Sequence, residues 1–353
     1  MTIADIARAE IRALKPYAAA IQVDDTIRLN ANEAPWASSG DRFRRPLNRY
    51  PEIRPSGLRG ALADRYGCAA ENLLVTRGSS EAIDLLVRVF CNAGRDNIVT
   101  STPTFSMYRH YATIQGAELR EVELAASNDF ALDPDGLLGA CDNATRLVFL
   151  CSPNNPTGTL MSRQDLIRVL EARRDRSAVV VDEAYIEFAQ QDSVVGLLDQ
   201  YENLIVLRTL SKALAFAGAR CGAVIGPRDV IEMLDAVQAP YALATPVVEC
   251  VENALRAESL SEADGWVRQI VTERERLIDA IGTMSFVRRV WPSAANFFLI
   301  EVDNAEQLLQ ECNNDKVLLR YFGGALADCV RITVGSPSEN DRLLQVLAAV
   351  GRA

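Results

Sequence analysis

Histidine is nearly missing from this chain: His110 is the one imidazole in 353 residues. That scarcity removes most zinc sites and leaves little room for a Ser-His-Asp triad. His110 follows Arg109 in a basic pair and reads as a solvated or hydrogen-bonded side chain. The eight cysteines form no C-x-x-C pair and lie apart in apolar or small-residue surroundings. With no signal-peptide pattern at the start, the expectation is a reducing, cytoplasmic setting. No apolar run approaches the ~18 residues that a membrane span requires. Cationic excess is lacking too: 37 Lys and Arg face 47 Asp and Glu, a formal charge of -10 that repels nucleic acid and anionic membranes. An anionic ligand must therefore meet a local cluster of cations and backbone N–H groups. Internal repeats and low-complexity tracts are absent.

What remains is an ordinary globular composition, 49% hydrophobic and 24% charged, in a chain too long for one small core. Residues 2–14 read as a short amphipathic helix stopped by Lys15-Pro16, and residues 26–52 as a long irregular arm rich in Asn, Pro, Ser and Arg. From Pro55 the pattern alternates helices with short buried strands: Leu73-Leu74-Val75, Asn97-Ile98-Val99, Leu147-Val148-Phe149-Leu150, Val179-Val180-Val181, Leu204-Ile205-Val206-Leu207 and Ala223-Val224-Ile225. Continuous apolar runs joined through helices predict parallel crossovers and a doubly wound, mostly parallel α/β sheet. A helical pattern over 247–281, broken near 259–261, then leads to strand-like runs at 297–300, 317–319 and 330–334 and a closing helix. This tail predicts a smaller α+β domain. The expected division is 1–45 as an arm serving the small domain and a dimer interface, 46–250 as the large cofactor domain, and 251–353 as the small domain.

Polar constellations follow the predicted strands, where open α/β sheets bind ligands. Arg77-Gly78-Ser79-Ser80-Glu81 opens a helix, and its free N–H groups, helix dipole and two hydroxyls suit a phosphate. An N-cap with a capping-box carboxylate explains the same residues equally well. Asn155 sits in Asn154-Asn155-Pro156-Thr157-Gly158, where prolines and glycine fix the backbone, although an ordinary turn would read alike. Asp182, at the end of a buried strand and three residues before Tyr185, needs a cationic partner because an isolated buried carboxylate is costly. Metal binding through Asp182 and Glu183 is its rival, and no metal site is expected. Lys212, flanked by Thr209 and Ser211 and followed by Arg220, is a candidate amine nucleophile for Schiff-base chemistry. A phosphate cradle, a buried carboxylate, a phenol, an amide and a lysine are together what a pyridoxal 5′-phosphate site needs.

The ordered set Asn155-Pro156-x-Gly158, Asp182-x-x-Tyr185, Ser211-Lys212 and Arg220 resembles the fold-type I pyridoxal phosphate aminotransferases. Longer strings are similar to the histidinol-phosphate aminotransferase family in particular: Leu29-Asn30-Ala31-Asn32-Glu33, Asn48-Arg49-Tyr50-Pro51-Glu52, Cys151-Ser152-Pro153-Asn154-Asn155-Pro156-Thr157-Gly158, Asp182-Glu183-Ala184-Tyr185-Ile186-Glu187-Phe188 and Arg331-Ile332-Thr333-Val334-Gly335.

The resemblance implies that Lys212 carries the cofactor aldehyde and shuttles the substrate proton, and that Asp182 pairs with the pyridinium nitrogen. Tyr185 and Asn155 would hold the ring oxygen, and Tyr108 would stack on the ring face. Ser79, Ser80, Thr209, Ser211 and Arg220 would bind the cofactor phosphate, with Tyr50 reaching in from the second subunit of a homodimer. Tyr17, Asn32, Asn155, Arg320 and Arg331 would contact substrate. The segment from Tyr321 to Asp328 departs from the family strings, as does Ser79-Ser80, where an Ala-Asp pair is common. The implied reaction moves the amino group between L-histidinol phosphate and 2-oxoglutarate in histidine biosynthesis. An aromatic amino-acid aminotransferase and an amino-acid-phosphate decarboxylase are the alternatives on the same scaffold.

Overall fold

The computed structural model describes residues 2–17, 22 and 26–350. Among the described residues, one sheet has seven strands: β1 (Leu73–Thr76), β2 (Asn97–Thr102), β3 (Glu118–Glu123), β4 (Thr145–Cys151), β5 (Ala178–Asp182), β6 (Leu204–Thr209) and β7 (Gly222–Ile225). Their order is β1-β7-β6-β5-β4-β2-β3. Successive side chains point to opposite faces, so each apolar run feeds two cores. Val148, Leu150, Val179, Val181 and Val206 pack on one face. Leu147, Phe149, Val180, Ile205 and Leu207 pack on the other. Burial on both faces is why these strands read as unbroken apolar runs.

The sheet is parallel except at β7, which pairs antiparallel with both β1 and β6. The sequence expectation of a crossover there fails because residues 210–221, between β6 and β7, contain only the 3-10 turn Ala217–Ala219, too little to return the chain to the far edge. The reversal has a functional effect. It sets the start of β7, and Arg220 just before it, at the same edge as the carboxyl ends of the other strands.

The second sheet has order β10-β11-β9-β8, formed by β8 (Val287–Val290), β9 (Phe297–Val302), β10 (Arg320–Gly323) and β11 (Leu326–Thr333), all antiparallel. Residues 317–319, expected as a strand, precede β10 without joining it. The two parts share the helix Ala257–Gly282: Ala263 belongs to the core of the large sheet, whereas Leu277 and Ile281 belong to that of the small one. The helix expected over 2–14 is instead a 3-10 turn, Ile3–Ile6, and a short helix, Ala9–Arg12. Arg8 breaks it by donating its backbone N–H to the Val89 carbonyl and its guanidinium to the Arg88 carbonyl, each at 3.0 Å. Ile3 and Ala7 consequently join the core of the large sheet, not the arm. No helix among the described residues is long and apolar enough to cross a membrane.

Candidate active site

The carboxyl ends of β1, β4, β5 and β6 and the start of β7 surround one cavity, lined by Ser79, Ser80, Phe105, Cys151, Asn155, Asp182, Ala184, Tyr185, Thr209, Ser211, Lys212 and Arg220. Its phosphate-like end begins where β1 turns into the helix Ser79–Phe90. Gly78 makes that turn at φ +75°, and a Cβ there would stand 3.0 Å from an Arg220 guanidinium nitrogen. Glycine thus lets Arg220 lie against the helix N-terminus, where N–H groups already favour an anion. Ser211 accepts from Thr209 Oγ1 at 2.9 Å and from Arg220 Nη1 at 3.4 Å, so hydroxyl and guanidinium donors converge. Glu81 accepts from the Arg77 N–H at 2.6 Å, one residue before the capping position Gly78, and no side chain caps this helix end. The capping box of the rival reading is therefore not formed.

Asp182 closes the opposite end. It is 2% exposed, and burial raises its pKa to about 6 against the hydrogen bonds from Tyr108 and Ala184 and the nearby Lys212 charge. Its Oδ2 accepts from the Tyr108 hydroxyl at 3.0 Å, and its Oδ1 from the Ala184 N–H at 3.2 Å. Glu183 turns to the other side of the strand, where Ser193, the Val194 N–H and Arg208 satisfy it. The Lys212 side chain opens onto the cavity, with Nζ 5.4 Å from the Tyr185 ring centroid. Its proton affinity is lowered by desolvation and by the charges of Arg331 and Arg220, with Asp182 opposing. Tyr185 is 7% exposed, meets Phe297 edge-on at 5.0 Å, and has its phenol pKa pushed up by burial.

Arg331 reaches the rim from β11 and donates through Nη1 to the Asn155 side-chain oxygen. Its Nε is buried without a partner. Arg320 lies directly across the strand pair from Arg331, with its side chain exposed.

Tyr108 requires a correction. It does not line the cavity but is fully buried, stacked on Phe149 at 4.8 Å with its hydroxyl on Asp182. Helical spacing explains the difference: Tyr108 lies in the first turn of the helix Met107–Gln115 and faces the core, whereas Phe105 precedes the helix and faces the cavity. Asn154 holds that segment by donating to the Pro103 carbonyl at 2.9 Å and accepting from Thr104 Oγ1 at 2.8 Å. Phe105 and Cys151 thus line the site without having been singled out in the sequence, although Cys151 stood in a quoted string, and Asn154 supports it from behind. Tyr17, Asn32, Tyr50, Arg320 and Arg331 do not line the cavity of their own chain, although Arg331 reaches its Asn155. Tyr50 stacks on Tyr241 at 4.6 Å, and Tyr17 is 60% exposed.

Comparison with known proteins agrees with this arrangement. The family described as aminotransferase class I and II matches residues 27–347. This chain belongs to the class I and II aminotransferases. Histidinol-phosphate aminotransferase of Xanthomonas campestris pv. campestris is 43% identical over 352 residues, covering 98% of this chain and 97% of the relative. That of Salmonella choleraesuis is 39% identical over 353 residues, with 99% and 98% covered. The crystal structure of histidinol-phosphate aminotransferase from Sinorhizobium meliloti in complex with pyridoxal 5′-phosphate superimposes with a TM-score of 0.79 at 26% identity, covering 87% of this chain and 84% of that one. The aminotransferase fold therefore extends through both sheets, and the cavity lies where the strand ends converge.

Proposed function

We propose that this aminotransferase moves the amino group of L-histidinol phosphate to 2-oxoglutarate, giving imidazole acetol phosphate and L-glutamate in histidine biosynthesis, with pyridoxal 5′-phosphate as cofactor. The observation that carries the substrate reading is the pair Arg331 and Arg320, opposite each other in register, with Arg331 tied through its Nη1 to Asn155 of the lysine cavity. A guanidinium fork accepts carboxylate and phosphate alike, which suits a site that must receive both in alternating half-reactions.

The cavity fits the cofactor. The Gly78 turn, Ser79, Ser80, Thr209, Ser211 and Arg220 would hold its phosphate. Asp182, a buried carboxylate of raised pKa with no cationic contact within hydrogen-bond range, would accept a hydrogen bond from its ring nitrogen and keep that nitrogen protonated. Asn155 and Tyr185 would meet the ring oxygen, Phe105 offers its ring face, and Lys212 would receive the aldehyde. When bound, the cofactor supplies the carbonyl that carries the amino group and the ring that withdraws electrons from the substrate. The protein's part is orientation and proton transfer. Lowered proton affinity leaves a larger share of Lys212 as free amine near neutral pH, able to take a proton from the substrate α-carbon at Nζ and return one. Arg331, fixed by Asn155, places the substrate anion so that this α-proton faces the amine.

We further infer a cytoplasmic homodimer. Ile27, Leu29 and Trp36 are 90%, 89% and 80% exposed on the arm, an apolar surface that a second copy would cover and that would carry Tyr50 toward the partner's site. None of the eight cysteines is paired, which suits a reducing compartment. The test of the reaction compares kcat/KM for L-histidinol phosphate and L-phenylalanine with 2-oxoglutarate as acceptor. A preference of ~100-fold or more for histidinol phosphate is expected. Equal or greater use of phenylalanine, or release of CO2 without glutamate formation, would replace this reading.

A further inference from the structure

The hairpin β10–β11 carries the part of the chain that departs from the family strings, and its geometry gives that departure a role. Arg320 pairs with Arg331 and Tyr321 with Val330; then the register shifts, so that Gly323 pairs with Leu326. Side chains alternate across a strand. Tyr321 and Val330 accordingly join the core of the small sheet, while Arg320, Phe322 and Arg331 share the opposite face. Phe322 is 38% exposed there. Its ring centroid lies 5.4 Å from the Arg320 guanidinium carbon and 5.5 Å from that of Arg331, and Phe297 covers Arg331 at 4.9 Å. Arg331 therefore has an aromatic ring from each side, and two like charges share one of those rings. Left alone the two guanidiniums repel: desolvation and then the Arg320 charge lower the proton affinity of Arg331, with Tyr185 opposing. An aromatic face attracts both cations through its quadrupole. Phe322 also lines a second cavity with Pro103, Phe105 and Pro156, where the small sheet meets the large one.

We propose that Phe322 is a positioning and specificity residue for the substrate anion: its ring holds Arg320 and Arg331 as a pair, and its edge faces the space where the non-anionic part of the substrate enters. This rests on the reading of Arg320 and Arg331 as anion ligands, and not on which amino donor is preferred. The holoenzyme, with its cofactor phosphate already in place, supplies the test. Phe322→Leu keeps an apolar side chain and removes the π-face, and Phe322→Tyr restores the face. Inorganic phosphate is the probe, measured as a competitive inhibitor of the glutamate half-reaction, which any enzyme of this family using glutamate undergoes. Phe322→Leu is expected to raise the phosphate inhibition constant and the KM for glutamate by about 10-fold while kcat changes less than about 3-fold, with Phe322→Tyr returning both to within about 2-fold of wild type. The absorbance of the bound cofactor without substrate should not change. An unchanged inhibition constant in Phe322→Leu would overturn the proposal, as would a loss that Phe322→Tyr fails to recover. Failure of histidinol phosphate as a donor, with the phosphate effect intact, would overturn only the substrate reading.

Discussion

At the scale of single residues, Asp182 has the clearest physical signature. Its folded-state pKa of about 6 lies above the reference value of 3.8 because burial outweighs the groups that favour its charge. Between about pH 4 and 6 the folded apoprotein holds a proton that the unfolded chain has released, so stability falls as pH rises through that window and the penalty is complete above it. Without cofactor, Asp182→Asn should therefore be more stable than wild type at pH 8, by on the order of 3 kcal/mol, with the advantage shrinking toward pH 4. Urea denaturation of both apoproteins across pH checks it, and a constant difference would contradict it. Tyr108 acts through this carboxylate: its hydroxyl lowers the Asp182 pKa. Tyr108→Phe should move the alkaline end of that window upward and weaken cofactor binding by ~10-fold or more, as expected for a lost hydrogen bond to a charged group; unaltered affinity and an unmoved window would make the phenol a packing residue only. The gathering of Lys212, Asp182, Tyr185 and Asn155 at one cavity was legible because each stands at the end of an apolar strand or within four residues of it. The exchange of Phe105 for Tyr108 was not, since two aromatics three residues apart differ only in where the helix begins. That boundary depends on Asn154, which binds the Pro103–Thr104 segment from across the sheet.

At the scale of elements, β7 decides how the cavity closes. Its antiparallel pairing brings Gly222 so close to its neighbours that a Cβ would stand 2.6 Å from the Arg208 carbonyl oxygen and 3.0 Å from Gly78 Cα. Gly222→Ala should cost about 1–3 kcal/mol by overpacking and, by displacing Gly78, weaken cofactor phosphate binding as well. Gly60→Ala, inside the helix Ser56–Tyr66 with nothing within 4 Å of the new methyl, is the control and should stabilise by ~0.5–1 kcal/mol. Thermal unfolding of the two variants separates them; equal effects would mean that the contact at Gly222 relaxes freely. The apolar strands of the large sheet were legible as runs. Besides β10, displaced from the expected run at 317–319, two others were not: β3, Glu-Leu-Arg-Glu-Val-Glu, is a charged edge strand, and β8 carries two arginines in four residues. Both have half-exposed faces that break the run, and edge strands use such charges to resist pairing. The direction of β7 was hidden for a different reason, because it is fixed by what the connecting residues lack.

At the scale of the whole molecule, a chain of net charge -10 must gather cations locally for an anionic substrate, which is the part proposed for Arg220, Arg320 and Arg331, and with one histidine in the chain the proposal gives proton transfer to Lys212. The exposed arm predicts that each site is completed by a second copy. Tyr50→Ala and Lys212→Ala homodimers should both be strongly impaired. A mixture of the two variants should recover toward about a quarter of wild-type activity, because random pairing makes half the dimers mixed and each of those holds one intact site of two. No recovery would place Tyr50 in the service of its own chain. Most direct for the central claim is the absorbance of the holoenzyme on adding L-histidinol phosphate with no 2-oxoglutarate present. The account predicts loss of the bound-cofactor band in step with release of one imidazole acetol phosphate per site, and restoration of the band by 2-oxoglutarate. A band that stays unchanged with histidinol phosphate but is lost with phenylalanine would contradict it.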